Sequence, residues 1–577
     1  MLQSQIFAKT SKSSRADAES VNADLLTRAG FISKTMAGVY SFLPLGWRVL
    51  RNIENLLREE MDPIGAEVFL PSLTPFEQWE KTGRLNSVGI LFQACAANDL
   101  GRKVHDAHYV LNSTHEEVIT PLVQSYTVSH KDFPCAAYQI QTKFRNEARV
   151  KSGLLRCREF RMKDLYSFHT SEEDMLDYFF HKAIPAYTRF FDRVGLGDRT
   201  VIALASGGDF SKEYSREFQT LCPAGEDQLF QIPGTDTYYN REVAPSKAPP
   251  WGDPKEKELP RKDVEGKGII GVTELAAFLK IEVERTTKTL IFSSDKGFIA
   301  AMVRGGYDIN EEKLRKVVGC MRMQLASAEE VTTLTGAKVG YAGPIGLPAT
   351  VRLVWDESTA HRKNFECGAN ETDKHTTNAN FGRDVAVPEK FYDIKVAREG
   401  DMDPETGKRY DVHRAAEVGN VFTLYTKFSD AFGFHFTDKD GKEKPVYMGC
   451  YGIGTSRIMG TLAEILHDDA GLQWPTAVAP FHVHVLPFAK TKEEESFNVA
   501  LDLAASLEKA GFTVLVDDRL DTSAGSRMAD SDLIGIPKRI VISQRSLTAG
   551  GGEVKDRKTG AVAVHPLKEV VGMLLNG

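Results

Sequence analysis

The chain of 577 residues is 42% hydrophobic and 26% charged, an ordinary globular composition that is too long for one hydrophobic core and points to three or four domains. No apolar run approaches the ~20 residues of a bilayer span, and the net charge of −7 argues against a protein that coats nucleic acid without discrimination, while leaving room for RNA binding through local basic strips. The seven cysteines are scattered and form no CxxC pair, so neither a structural zinc site nor a disulfide framework is indicated.

The N-terminal stretch MLQSQIFAKTSKSSRADAES is polar and has no apolar signal-peptide core, which predicts a cytoplasmic protein. Residues 15–62 read as helical: RADAESVNADLLTRAG stops at Gly30, and WRVLRNIENLLREEM carries apolar residues at three- and four-residue spacing. GAEVFLPSLTP then reads as a strand broken by Pro71 and Pro75. YQIQTKFRNEAR and REFRMKDLYSFH read as two extended segments joined by the turn-prone VKSG. Composition shifts near 232, and APSKAPPWGDPKEKELPRKD reads as a surface linker. Beyond it GVTELAAFL is predicted helical, TKTLIFSS and FIAAMVRG strands, and INEEKLRKVVG helical again, before a second polar link at 397–409. Two links around a self-sufficient α/β unit suggest a domain inserted in a host domain. The last hundred residues alternate strand and helix (FHVHVLPF, FNVALDLAASLEKAG, FTVLVDD, SRMADSDLIG, KRIVISQ), which predicts a small separate α/β domain.

No G-x-x-x-x-G-K-[ST] occurs, and MGCYGIGTSR has the wrong glycine spacing for a dinucleotide fingerprint. The paired extended segments offer another way to hold a nucleotide. If both are strands, Arg145, Glu147 and Arg149 share one face, as do Arg156, Arg158 and Phe160. Arginine forks suit phosphate oxygens, and Phe160 could stack on a purine. On composition alone, a hairpin of solvated Arg–Glu pairs accounts for the same residues. GCYGIGTSRIMGTLAEILHDDAG adds a Gly-rich opening to a helix with Ile458, Leu462 and Ile465 on one face and Arg457 in its first turn, a natural anion site.

Arg145-Asn146-Glu147 through Arg158-Glu159-Phe160 resembles motif 2 of class II aminoacyl-tRNA synthetases, and Gly452 to Arg457 resembles motif 3. GAEVFLPSL, through Pro71, resembles the dimer-forming motif 1. Thr114-His115-Glu116-Glu117, RMKDLYSFH and MGCYGIG in combination are similar to the bacterial-type prolyl-tRNA synthetases, over essentially the whole chain. That resemblance implies an α/β multidomain fold: an antiparallel-sheet catalytic core at 1–231 and 401–476, an inserted α/β editing domain at 232–400, and a C-terminal α/β anticodon-binding domain at 477–577. It implies proline, ATP and tRNA(Pro) as partners, Mg²⁺ accompanying ATP, no structural metal, a homodimer and no membrane.

By the same resemblance Thr114, Glu116, Arg145, His169 and Cys450 would hold proline. Arg145, Glu147, Arg156, Phe160 and Arg457 would hold ATP, with Arg145, Glu147 and Arg457 the catalytic set, and Arg149 would meet the acceptor stem. Lys288, Gly340, Pro344, Asp356 and His375 match the editing pocket, which would hydrolyse alanine wrongly attached to the proline tRNA. Several positions depart from the family pattern: Asn146 in FRNE, VKSG in the motif 2 loop, Arg216 where histidine is expected, Tyr425 where glycine is common, and Ser113 before THEE. Synthetases for threonine, serine or glycine share motifs 2 and 3 but not this insert beside THEE and MGCYGIG. A non-catalytic tRNA-binding paralogue is the alternative that the motif 2 departures raise.

Overall fold

A computed structural model of the chain describes residues 1–13, 20–208, 210–211, 213–253, 255–320 and 322–576. Two compact units emerge: 1–202 with 207–226 and 414–577, and 203–206 with 227–413. The sequence-drawn limits of the insert, 232 and 400, both fall inside the second unit.

The first unit is built on an antiparallel hairpin, Cys135–Phe144 with Glu159–His169, paired from Cys135↔Phe168 to Phe144↔Glu159. Tyr447–Ile453 pairs with its second arm, Asp411–Tyr425 follows, and Ser215–Leu221 pairs with that. At the other edge Ala66–Glu67 adds in parallel to the first arm. Helices Pro44–Met61, Ile184–Val194 and Thr455–Ile465 bury Val49, Leu50, Ile53, Leu57, Tyr187, Phe190, Phe191, Ile458 and Leu462 in one core. Their apolar residues recur at three- and four-residue spacing, so each helix has a single stripe to bury, and each such side chain contributes about 1.5–3 kcal/mol. Pro44 opens its helix at a position where a missing N–H costs nothing.

Three expectations about this unit need correction. Residues 15–62 are not continuously helical: a hairpin, Ile32–Met36 with Val39–Phe42, separates helix Val21–Arg28 from helix Pro44–Met61. The alternating, β-branched and aromatic run ISKTMAGVYSF outweighs the helical flanks, and the part of the expected first helix at 15–19 lies outside the described residues. The hairpin tip matters to the site, since Gly38 O accepts from Arg158 N at 2.8 Å. Secondly, only Ala66–Glu67 and Leu73–Pro75 of GAEVFLPSLTP are laddered. Thirdly, Arg145, Glu147 and Arg149 lie beyond the end of strand Cys135–Phe144, and Arg156 and Arg158 precede strand Glu159–His169. A pleat therefore does not put them on shared faces; one bond, Arg145 N to Arg158 O at 2.8 Å, carries the ladder past the strand end.

Within the same unit, residues 483–576 form a five-stranded sheet in the order Val514–Val516, Val483–Phe488, Lys538–Ser543, Gly552–Asp556, Val562–His565. The first three strands are parallel and the last two antiparallel. The polar N-terminus docks here, with Leu2 pairing in parallel with Val516 and Gln3 Oε1 bonded to the buried His484 at 2.9 Å.

The second unit holds a four-stranded sheet, in the order Met323–Leu325, Thr287–Ser294, Gly297–Arg304, Arg352–Trp355, and a three-stranded sheet, Lys262–Glu265, Lys374–Ala379, Phe365–Gly368. Neither polar link is solvated throughout: 257–263 of the first and 404–409 of the second are exposed, but other parts of each are packed. Ala244, Ser246, Ala397, Asp401 and Asp403 are buried, Ser246 Oγ donates to Asp401 at 2.5 Å, and Lys247 and Met402 exchange both backbone bonds at 2.9 Å. It is the stretches around Ser246–Lys247 and Asp401–Met402 that pair with each other, while the exposed remainders match the expectation.

Candidate active site

Three of the five expected proline ligands meet at Glu116, at the start of helix Glu116–Gln124. Thr114 Oγ1 donates to Glu116 Oε2 at 2.5 Å, and Cys450 Sγ donates to Glu116 Oε1 at 3.2 Å. Burial first, then the Glu116 charge, pushes the Cys450 thiol well above its usual range, so it acts here as a hydrogen-bond donor, not as a thiolate nucleophile. His169 ends its strand opposite Tyr447, with Nδ1 against Asp174 at 2.9 Å and Nε2 buried without a hydrogen-bond partner. Burial holds it below the usual histidine range, against the pull of Asp174.

Arg145 is the uncommitted cation of the site. Its guanidinium lies 5.1 Å from the centre of the Phe160 ring, and its Nε is buried without a hydrogen-bond partner. Burial, then the nearby Arg457 charge, lowers its proton affinity. The other expected nucleotide ligands are engaged: Arg457 Nη1 donates to Glu417 O at 2.5 Å and pairs with its carboxylate at 3.3 Å, and Arg156 bridges Glu147 at 2.7 Å and Glu226 at 2.8 Å. Arg149 is exposed.

The loop carrying Arg149 and Arg156 is pinned by a residue that sequence reasoning passed over. Asn22 is fully buried; its Nδ2 donates to Ser152 O at 3.0 Å and to Glu464 of the motif 3 helix at 2.8 Å, while its Oδ1 accepts from Leu154 N at 3.1 Å. A Cβ on Gly153 would sit 2.3 Å from that Oδ1, so the loop requires glycine there.

Beneath the pocket lies a second set missed in the sequence. Lys143 and Asp164 are ion-paired at 2.7 Å, Lys143 donates to His115 Nδ1, Gln139 donates to Asp164 at 3.2 Å, and Tyr166 donates to it at 2.9 Å. Burial opposes the Asp164 charge, but the Lys143 charge and the hydrogen bonds from Lys143 and Gln139 outweigh it and hold the carboxyl low; burial and Lys143 bring His115 down to about 4, so it is neutral. Arg84, also buried, reaches Glu117 at 2.9 Å and Glu116 at 3.3 Å. Burial pushes Glu117 up to about 7 against the opposing pull of Arg84. The available signal was Lys143 and Lys163-Asp164 on segments that also carry Ile140, Phe144, Leu165 and Phe168: charges on strands with so many apolar positions cannot all face water.

In the second unit, His375 is buried with Nδ1 against Glu366 at 3.1 Å and Nε2 against Ile269 O at 3.0 Å. Burial disfavours its charge, but Glu366 outweighs burial and raises its proton affinity, which suits a ring that donates at both nitrogens. Tyr341 of GYAGP packs 5.4 Å from the His375 ring, so loop and histidine do come together. A Cβ on Gly343 would meet Gly368 O at 1.8 Å, and Asn370 ties the loop through Gly343 N at 2.8 Å and Ile345 O at 2.7 Å. Pro344 is buried beside it, and Gly340 adjoins Ile270. Lys288 is ion-paired with Asp308 at 2.5 Å, and Thr287 N, one residue before it, donates to Glu366 at 3.4 Å. Asp356 is not brought to His375 by any hydrogen bond among the described residues. Its two carboxylate oxygens accept from Ser358 N at 2.9 Å and Ile394 N at 2.8 Å, a structural clamp. Among the described residues no group of three or more His, Cys, Asp or Glu side chains could hold a metal ion, and no helix is long and apolar enough to cross a membrane.

Residues 102–466 match the family model of the class II tRNA synthetase core domain (G, H, P, S and T), and residues 482–576 match that of an anticodon-binding domain. The chain is 41% identical over 574 residues to a proline--tRNA ligase of Geobacillus kaustophilus (strain HTA426), covering 99% of this chain and 98% of that protein. It is equally 41% identical, over 570 residues, to that of Moorella thermoacetica (98% and 97%). Among solved structures, a Giardia lamblia prolyl-tRNA synthetase in complex with prolyl-adenylate aligns with a TM-score of 0.56 at 16% identity, covering 95% of this chain and 74% of that one. A Cryptosporidium parvum prolyl-tRNA synthetase complexed with halofuginone and AMPPNP aligns with a TM-score of 0.58 at 12% identity (99% and 78%). These two support the fold.

Proposed function

This chain belongs to the prolyl-tRNA synthetase family of class II aminoacyl-tRNA ligases, and from that premise we propose which residues of the first unit join proline to tRNA(Pro) and that the second unit removes alanine attached in error. What carries the assignment is the nearness of a carboxylate cluster at Glu116 to Arg145, a guanidinium that forms no ion pair among the described residues. A zwitterionic amino acid needs both ends.

Glu116, oriented by Thr114 and Cys450, takes the secondary ammonium of proline. Arg145 takes the carboxylate and the α-phosphate of ATP, which enters with Mg²⁺ on its phosphates. The proline carboxylate oxygen attacks the α-phosphorus in line; the bond from that phosphorus to the α,β-bridging oxygen breaks and pyrophosphate leaves. No covalent enzyme intermediate is required, so the protein contributes positioning and charge stabilisation. Phe160 offers a ring face to the adenine, and Arg457, held by Glu417, meets the outer phosphates. A terminal ribose hydroxyl of the tRNA then attacks the prolyl carbonyl and AMP leaves, with Arg149 on the acceptor stem. Family membership supports action in the cytoplasm. The edge strand Ala66–Glu67, followed by exposed Phe69 and Leu73, supports a two-fold dimer through this segment.

Editing answers a limit of size selection. Alanine is smaller than proline and enters the same pocket, and a missing methylene costs only about 1–3 kcal/mol of discrimination. A second pocket that admits alanyl and excludes the prolyl ring supplies the rest, with Lys288 on the tRNA end and His375 beside the GYAGP loop.

ATP–pyrophosphate exchange with a panel of amino acids tests the synthetic assignment. Proline is expected to drive exchange; exchange driven by threonine or serine and not by proline overturns it, and no exchange at all favours a non-catalytic paralogue. Deacylation of preformed alanyl-tRNA(Pro), with prolyl-tRNA(Pro) as control, tests the editing assignment separately.

A further inference from the structure

The proline pocket contains one more charge pair than binding an ammonium requires. Two adjacent carboxylates, Glu116 and Glu117, are both fully buried, and the guanidinium of Arg84 lies between them, 3.3 Å from Glu116 Oε2 and 2.9 Å from Glu117 Oε1. Arg84 has almost no exposed surface and is caged by three aromatic rings, with its guanidinium carbon 5.2 Å from Trp79, 4.7 Å from Phe210 and 5.4 Å from Phe428. Thr82 Oγ1 donates to Glu117 at 2.9 Å, so Glu117 faces Thr82 and Arg84, while Glu116 faces Thr114 and Cys450. Of the neighbouring buried groups, Lys143 is paired with Asp164, His115 is neutral, and burial holds the Lys163 ammonium, which donates to Tyr187 and to Tyr451 O, well below the usual lysine range.

Charges that cannot reach water must be counted together. Glu116 by itself would supply one negative charge; Glu116 and Glu117 would supply two, more than one ammonium neutralises. Arg84 cancels one of them. We propose that Arg84 and Glu117 are a charge-setting pair that leaves the amino end of the pocket with a single net negative charge, matched to the one positive charge of proline's secondary ammonium. This rests on the reading of Glu116 as the ammonium ligand. Together with Arg145 it makes the pocket dipolar, negative at the ammonium and positive at the carboxylate. The pair acts through Glu116 and is a specificity-determining feature, not a catalytic group.

The test is charge arithmetic by mutation, read as KM for proline in ATP–pyrophosphate exchange at pH 8. E117Q removes one carboxylate and leaves the pocket neutral, and KM is expected to rise about thirtyfold, the usual scale for losing a buried charge partner. Adding R84M removes the surplus cation and restores a single negative charge, so R84M/E117Q is expected to return to within about threefold of wild type, since a buried pair replaced by apolar groups is often tolerated. Inhibition by tetrahydrofuran-2-carboxylate, which has proline's ring and carboxylate but no ammonium, is expected not to weaken in either variant. A wild-type KM for E117Q, or a double variant no better than E117Q, overturns the proposal. Should R84M/E117Q fail to fold, E117Q decides by itself: weakening confined to proline supports the pair, and equal weakening of proline and the oxygen analogue overturns it. Wild-type enzyme that does not respond to proline at all would instead overturn the underlying functional reading.

Discussion

The two candidate pockets are prepared in opposite ways. In the first unit buried charges are spent on one another, Lys143 on Asp164 and Arg84 on Glu116 and Glu117, while the Glu464 carboxylate is met by the neutral amide of Asn22. Arg145 Nε and His169 Nε2 are left without a hydrogen-bond partner among the described residues. In the second unit His375 has both ring nitrogens bonded, and Lys288 has Asp308. A rigid floor with unmet groups above it can bind without rearranging. A pocket whose histidine and lysine are both engaged must give up the Ile269 and Asp308 contacts before those two groups can grip anything. Preorganisation marks the Glu116 side of the first unit, and displacement the surroundings of His375 and Lys288 in the second.

The strongest way to break this comparison is to unbalance the floor. Asp164→Asn leaves Lys143 buried without its counter-ion and is expected to cost about 3–5 kcal/mol of unfolding free energy, together with most of the proline-dependent exchange. Chemical denaturation with an unshifted midpoint would show that the network is not the rigid element. Arg145→Ala comes next, with an expected loss of exchange of about a hundredfold to a thousandfold, the scale of a lost transition-state charge contact, and little change in stability. Near-wild-type exchange by a well-folded variant would remove Arg145 from the site. The smallest effect on the molecule is expected from Lys288→Ala. Its ion pair is partly exposed and contributes at most about 1 kcal/mol, so stability and proline activation should hold, while hydrolysis of preformed alanyl-tRNA(Pro) is expected to stop. Equal deacylation by variant and wild type would sink the role of Lys288 in editing.

Much was legible without the fold. The C-terminal helices and first strands follow from alternation, and Ile458 and Leu462 face the core as their spacing requires. Thr114, Glu116 and Cys450 were named together and do meet. Less legible were residues whose role depends on distant partners. Tyr425 stands where the family resemblance leads one to expect glycine, and the backbone there is left-handed, φ +51, at an irregularity in the pairing of Asp411–Tyr425 with Tyr447–Ile453; the sequence flags the exception but not the strained conformation.

By itself the sequence determined the reaction class, the order of motifs and the periodic elements, because those are written in neighbouring residues or at regular spacing. The tertiary structure alone decided that the polar links pair with each other, that Asp356 clamps backbone amides instead of joining His375, and that Arg84 and Asn22 lie inside the site. Glu116 is 32 residues from Arg84 and Glu464 is 442 from Asn22. A buried charge is tolerable only when its partner is in place, and no local pattern reports which distant residue that partner is.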